Sequence, residues 1–190
     1  ILVADGGGYH AKITKRIPAA AGLGGGSSDA ATALRLGNAL RAEPLPDDLL
    51  YAAAQELGAD VPYFLVDGPQ LGTGDGTDLA PLDLPQDYWV VLVLPSGATK
   101  SSTGDVFAAF DARDGEAGFA ERRSALLAAL DGVRRPRDLA ALPQNDLASS
   151  PLTAGFLERG AFRADVTGAG PTVYGLFLHE DVARSAQRDM

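Results

Sequence analysis

From Tyr9 to Ile17 the chain alternates, with Tyr9, Ala11, Ile13, Lys15 and Ile17 on one side against His10, Lys12, Thr14 and Arg16. A period of two predicts a half-buried strand, with the lysine stems lying along apolar surface. Pro18 ends that pattern, and a glycine-dense loop from Gly22 to Gly26 runs into Ser27, Ser28 and Asp29. The Ala/Leu-rich stretch from Ala30 to about Leu40 carries Ala33, Leu34, Gly37 and Leu40 at helical spacing. The opening unit therefore reads as strand, glycine loop, helix. A second helix is predicted through Leu49, Leu50, Ala53 and Leu57, with Pro46, Asp47 and Asp48 at its start and Gly58 at its end.

Further along, Gly68 to Gly76 suits a strand and a turn, and Tyr88 to Leu94 reads as a buried strand between Pro85 and Pro95. Helical patterns follow at Ser102 to Phe110, Glu116 to Leu130 and Leu142 to Glu158. Strands are expected at Ala161 to Thr167 and Thr172 to Phe177, and a last helix from His179 to Met190. Strands separated by two or three helices favour an α+β two-layer arrangement over a doubly wound sheet. The strand from Tyr88 is expected to begin a second lobe.

Composition narrows the chemistry. Hydrophobic residues at 46% and charged residues at 22% describe an ordinary globular chain. The longest apolar run, Tyr88 to Leu94, falls far short of the roughly 20 residues that cross a bilayer. No secretory signal is visible at the start, so a cytoplasmic location is expected. There are no cysteines, and the two histidines, His10 and His179, have no partner at zinc-ligand spacing. A formal charge of −9 repels polyanions, so nucleic acid is not an expected partner. An anionic ligand would have to be held by local amides and a few cations.

Such a place exists between Ile17 and Ala31. Glycines without a Cβ let a phosphate approach the backbone, and the first amides of the following helix are free donors at its positive end. Ser27 or Ser28 offers a hydroxyl to a phosphate oxygen or a Mg²⁺ ion, and Asp29 a carboxylate to that cation or its water. A simple serine N-cap after a flexible loop is the plainer alternative. Familiar signatures fail on the letters. No lysine follows Gly26 as a Walker A loop requires, and Ser27 stands where the dinucleotide fingerprint from Gly22 and Gly24 needs glycine. The serine lacks the flanking glycines of a nucleophile elbow, since its neighbours two residues away are Gly25 and Asp29.

The segment Pro18 to Ala31 resembles the phosphate-binding motif of the GHMP kinases, Pro-x-x-x-Gly-Leu-Gly followed by small residues and serines. Its run Ala21 to Ala31, Ala-Gly-Leu-Gly-Gly-Gly-Ser-Ser-Asp-Ala-Ala, is similar to the branch that phosphorylates 4-diphosphocytidyl-2-C-methyl-D-erythritol. Leu57 to Leu65, Leu-Gly-Ala-Asp-Val-Pro-Tyr-Phe-Leu, resembles that branch's catalytic element. So do Gly72-Thr-Gly74, Asn145-Asp-Leu147 within Leu142 to Leu147, and Val166 to Phe177.

The resemblance implies a two-lobed GHMP kinase fold, α+β, split near Leu84, with an incomplete N-terminal ATP-binding lobe over residues 1–84 and a C-terminal ferredoxin-like α/β sandwich lobe over residues 85–190. It implies an ATP-dependent kinase acting on the 2-hydroxyl of 4-diphosphocytidyl-2-C-methyl-D-erythritol in the non-mevalonate isoprenoid route. Asp60 would be the catalytic base. Pro18, Ala21, Gly22, Leu23, Gly24, Gly25, Gly26, Ser27, Ser28 and Asp29 would hold ATP, with Mg²⁺ met by Ser27 or Ser28, and Gly168 and Gly170 would support that loop. Two other readings stand beside it: a homoserine or mevalonate kinase type, or a catalytically silent nucleotide-binding fragment. The last is motivated by departures from the pattern. The N-terminal Ala-Lys-Ile/Val-Asn-Leu strand motif is absent, and Lys12 stands in the next strand, so it is not given that lysine's role. Asp75 stands where members often have Arg. The opening Ile1, the uncapped final helix and the missing closing strand together predict a fragment.

Overall fold

The computed structural model describes residues 10–96 and 103–190. Their backbone contacts fall into two units. One takes the residues up to Ala19 together with Gly24–Asp83; the other takes Ala20–Leu23 and Leu84–Met190. The first half of the glycine loop thus belongs with the later part of the chain.

In the first unit, helix α1 spans Gly25–Ala39 and α2 spans Asp47–Leu57, followed by a short 3-10 helix at Pro62–Leu65. Helix α1 starts five residues earlier than its Ala/Leu pattern suggested. Gly24 takes a left-handed conformation, φ 63°, and its carbonyl accepts the Ser28 N–H at 2.9 Å, which closes the first turn over Gly25 and Gly26. Helix α2 begins after Pro46 with Asp47 and Asp48 in its first turn, where acids complement the helix dipole, and ends at Gly58. Ala31 and Leu34 of α1 bury against Leu50 and Ala54 of α2, with Val61 and Phe64 closing the cluster. Asn38 joins this core by exchanging two hydrogen bonds with the Leu45 backbone, at 2.7 and 3.0 Å.

Strands β1, Gln70–Thr73, and β2, Asp78–Pro81, form an antiparallel hairpin. Its turn is organised by Asp75, whose carboxylate accepts the Thr77 hydroxyl at 2.7 Å and the Thr77 N–H at 3.0 Å. The hydroxyl first, then that N–H, holds the Asp75 pKa below the usual carboxylate range. The Tyr51 hydroxyl of α2 donates to the Thr77 carbonyl at 2.6 Å. Burial, and then the Asp78 carboxylate, push its pKa above the ordinary phenol value.

The expected strand ahead of Pro18 does not form. Tyr9 lies outside the described residues, and His10 to Ile17 run exposed without strand structure, Ile13 at 64% and Ile17 at 37%. Alternation selects a strand only where a neighbouring strand accepts its ladder, and no described residue does so here.

The second unit is a three-stranded antiparallel sheet in the order β3 (Trp89–Val93), β5 (Val173–Phe177), β4 (Arg163–Val166). Helices α3, Thr103–Ala112, and α4, Phe119–Gly132, precede a 3-10 helix at Pro136–Ala141. Helices α5, Leu152–Glu158, and α6, Glu180–Asp189, pack on one sheet face. Phe156, Ala183 and Ala186 meet Val91, Ala164, Val166, Val173 and Phe177 there. Gly175 is a packing requirement, because a Cβ on it would lie 2.6 Å from the Phe156 ring. On the opposite face Leu176 packs with Val133 and Leu139.

Two sequence expectations change here. Tyr88 to Leu94 was expected as a buried strand, yet only Val91 of β3 is buried, and Trp89, Val90 and Leu92 are 45%, 51% and 49% exposed. An edge position, with β5 as its one partner among the described residues, leaves one face of an apolar run uncovered. Leu142 to Glu158 was expected as one helix, but residues 142–150 form a loop and α5 begins at Leu152. Pro143 and Pro151 break the pattern by removing amide donors and restricting the residues before them.

Phe156 is fully buried, so Phe156→Ala should cost about 3–5 kcal/mol. Urea unfolding followed by fluorescence of Trp89, the chain's single tryptophan, reads this unit directly.

Candidate functional site

The glycine loop is built by backbone touching backbone. Gly22 has φ +75°, and a Cβ there would fall inside the Gly170 carbonyl oxygen, 2.9 Å from the Gly170 carbonyl carbon and 3.0 Å from the Thr167 carbonyl oxygen. The Thr167 hydroxyl donates to the Gly22 carbonyl at 2.6 Å, and the Thr172 N–H donates to the Ala21 carbonyl at 3.3 Å. Ala21 and Thr172 are buried, and the Thr172 hydroxyl has no hydrogen-bond partner among the described residues. The β4–β5 turn therefore clasps Ala21 and Gly22. Gly168 and Gly170 serve this contact with left-handed φ values of 51° and 77°.

Beyond the clasp the chain turns into α1. A Cβ at Gly24 would lie 2.8 Å from the Phe64 ring, and one at Gly25 would lie 2.9 Å from Ile17 Cγ2. Gly26 is different: no atom of the described residues lies within 4 Å of its would-be Cβ. Among the described residues no side chain caps α1, and no acid stands in its first turn. The first amides of a helix have no intrahelical acceptor, and the dipole makes that end positive. This end accordingly offers unshielded N–H donors beside open space, a geometry suited to an anion. Helices α2 and α6 both begin with two acids and offer nothing of the kind.

Ser27 and Ser28 occupy the first turns of α1, half-buried, and Leu23 is half-buried as well. Asp29 is ion-paired with Lys15, and both side chains are solvent-exposed. Lys15, assigned to an apolar strand face in the sequence reading, instead brings a positive charge to the first turns of α1. Pro18 is exposed and belongs with the first unit. Asp60 sits between α2 and the 3-10 helix with its carboxylate exposed, four residues before the Phe64 ring that packs against Gly24. No group of three His, Cys, Asp or Glu among the described residues is arranged to hold a metal ion.

Residues 2–68 match the family described as GHMP kinases N terminal domain. The 4-diphosphocytidyl-2-C-methyl-D-erythritol kinase of Geobacter sulfurreducens is 36% identical over 204 residues, covering all of this chain and 67% of the relative. This chain belongs to the GHMP kinase family. A crystal structure of 4-(cytidine 5'-diphospho)-2C-methyl-D-erythritol kinase superposes with a TM-score of 0.66 at 31% identity, covering 92% of this chain and 64% of that one. A homoserine kinase from Cytophaga hutchinsonii shares the fold alone, with a TM-score of 0.62 at 17% identity. This GHMP kinase chain spans about two thirds of the length of these relatives.

Several supporting residues of the GHMP kinase chain escaped sequence reading. Arg163 and Asp165 are a nearly buried ion pair at 3.1 Å, flanking Ala164 on β4. Their signal was two charges at i and i+2 in an otherwise apolar strand, which places both on one face. Asp138 accepts the Arg135 guanidinium at 3.0 Å and the N–H groups of Arg135 and Arg134 at 2.9 and 3.1 Å. The guanidinium first, then those amides, lowers its pKa.

Gly22→Ala should destabilise the second unit by about 1–3 kcal/mol, since alanine is strained at this φ and collides with backbone that cannot step aside. Gly26→Ala, which adds a methyl to open space on a helix, should leave the melting temperature unchanged or slightly raised. Differential scanning calorimetry of the two variants checks the contrast.

Proposed function

We propose that this chain transfers the γ-phosphoryl group of ATP to the 2-hydroxyl of 4-diphosphocytidyl-2-C-methyl-D-erythritol, acting in the cytoplasm in isoprenoid precursor synthesis. The observation that carries this reading is the uncapped, acid-free start of α1 behind a glycine loop of fixed conformation. Support for the acceptor comes from the kinases named above, which match this chain at 36% and 31% identity. The −9 charge argues against a polyanionic acceptor and leaves a small molecule held locally.

In this reading the amides of Gly25, Gly26 and Ser27 bind the phosphates, and Lys15 adds a cation beside them. Ser27 or Ser28 would supply a hydroxyl to the Mg²⁺ ion that accompanies ATP, whose charge would offset that on the transferring group. Asp60, exposed and without a hydrogen-bond partner among the described residues, accepts the acceptor's hydroxyl proton as the oxygen attacks phosphorus. Phosphoryl transfer is chiefly positioning and charge stabilisation, so an oriented carboxylate and an anion cradle are the parts it needs.

ADP release from ATP and Mg²⁺ should depend on added 4-diphosphocytidyl-2-C-methyl-D-erythritol. Asp60→Asn should lower that rate by about 10²–10⁴-fold with little change in ATP affinity. A chain that binds ATP and releases no ADP would instead be a nucleotide-binding fragment. An Asp60→Asn variant at full rate would remove the carboxylate from the mechanism.

A further inference from the structure

Asn145 lies in the loop between the 3-10 helix at Pro136–Ala141 and α5, and its side chain is fully used. Its amide nitrogen donates to the Val166 carbonyl at 3.0 Å and to the Gly168 carbonyl at 2.7 Å. Its oxygen accepts the Leu147 N–H at 2.8 Å. Since both nitrogen partners are carbonyls and the oxygen partner is an N–H, the orientation of the amide is fixed by its surroundings. The two carbonyls flank Thr167, the residue whose hydroxyl reaches the Gly22 carbonyl. We infer that Asn145 is a positioning residue for the nucleotide loop, acting through Thr167 and Gly170 on Gly22.

The loop carrying Asn145 is itself braced from two sides. The backbone N–H of Asn145 donates to the buried Asp165 carboxylate at 3.0 Å. Arg163, paired with Asp165, donates to the carbonyls of Leu142 at 2.6 Å and Pro143 at 2.7 Å, and to the Tyr174 hydroxyl at 3.0 Å. On the other side Arg122 pairs with the Asp146 carboxylate at 2.8 Å, and Arg113 donates to the Asp146 carbonyl. With its backbone so held, the Asn145 amide becomes a fixed donor for the turn. Within the turn, the Gly170 N–H to Thr167 carbonyl and Thr167 N–H to Thr172 carbonyl bonds set its shape. The carbonyls of Val166 and Gly168 need a donor from outside it, and Asn145 is that donor. Without it the backing of Gly22 loosens, and the loop spends less time in the conformation that leads into α1 at Gly24.

The effect on nucleotide rests on the kinase reading; the effect on the loop does not, and the two are measured separately. In Asn145→Ala, exchange of the hydrogen-bonded amides of Thr167, Gly170 and Thr172 should quicken by about tenfold or more, the expected cost of the two hydrogen bonds lost to the turn, while the α6 amides stay within about twofold. Thr167→Val, which removes only the hydroxyl that reaches Gly22, should give the same local pattern and carries the test if Asn145→Ala fails to fold. For ADP binding by calorimetry, both variants should raise Kd by several-fold or more. Unchanged exchange at Thr167, Gly170 and Thr172, or equal acceleration throughout the second unit, would overturn the inference. Wild-type chain that binds no ADP would overturn the kinase reading while the exchange pattern still decides the role of Asn145.

Discussion

The organisation around the site depends on one contact in which no side chain takes part except as a donor: Gly22 lying beneath Gly170 and Thr167. Two stretches of backbone meet there closely enough that a single methyl group cannot be admitted. This explains why the first glycines of the loop belong with the later half of the chain, while Gly24 onward belongs with α1 and α2. The loop's glycines accordingly do different jobs. Gly22 answers to the β4–β5 turn, Gly24 and Gly25 answer to Phe64 and Ile17, and Gly26 faces open space where a ligand atom can come close.

Electrostatics then favours a local solution. The chain as a whole is strongly acidic, which would repel a triphosphate at long range. Within a few ångströms the balance reverses at the start of α1, because its first turn has no acid and its amides are uncapped. Asp29, the nearest acid along the helix, is engaged by Lys15. At physiological ionic strength screening acts over about 8 Å, so the near field governs a bound anion while the distant acids are largely muted.

Helix α2 and the strands β4 and β5 were legible because local rules and tertiary packing agree there. Acids open α2 and glycine closes it, β5 is an apolar run, and turn residues lie between the two strands. The glycine loop was legible as a turn feeding a helix because its residues without Cβ stand directly ahead of an alanine-rich run. What was not legible depends on partners distant in sequence. His10 to Ile17 alternate yet find no strand to pair with, and β3 is apolar throughout but stands at a sheet edge. The Lys15–Asp29 pair and the bonds from Asn145 to the turn after β4 join residues 14 and more than 20 positions apart. A one-dimensional pattern has no term for such meetings.

Backbone amide shifts during titration with ATP and Mg²⁺ test most directly whether the start of α1 is a phosphate site. The account predicts that the amides of Gly25, Gly26 and Ser27 move furthest, with the first turns of α2 and α6 unmoved. ATP binding that leaves those three amides in place and shifts resonances elsewhere would contradict it.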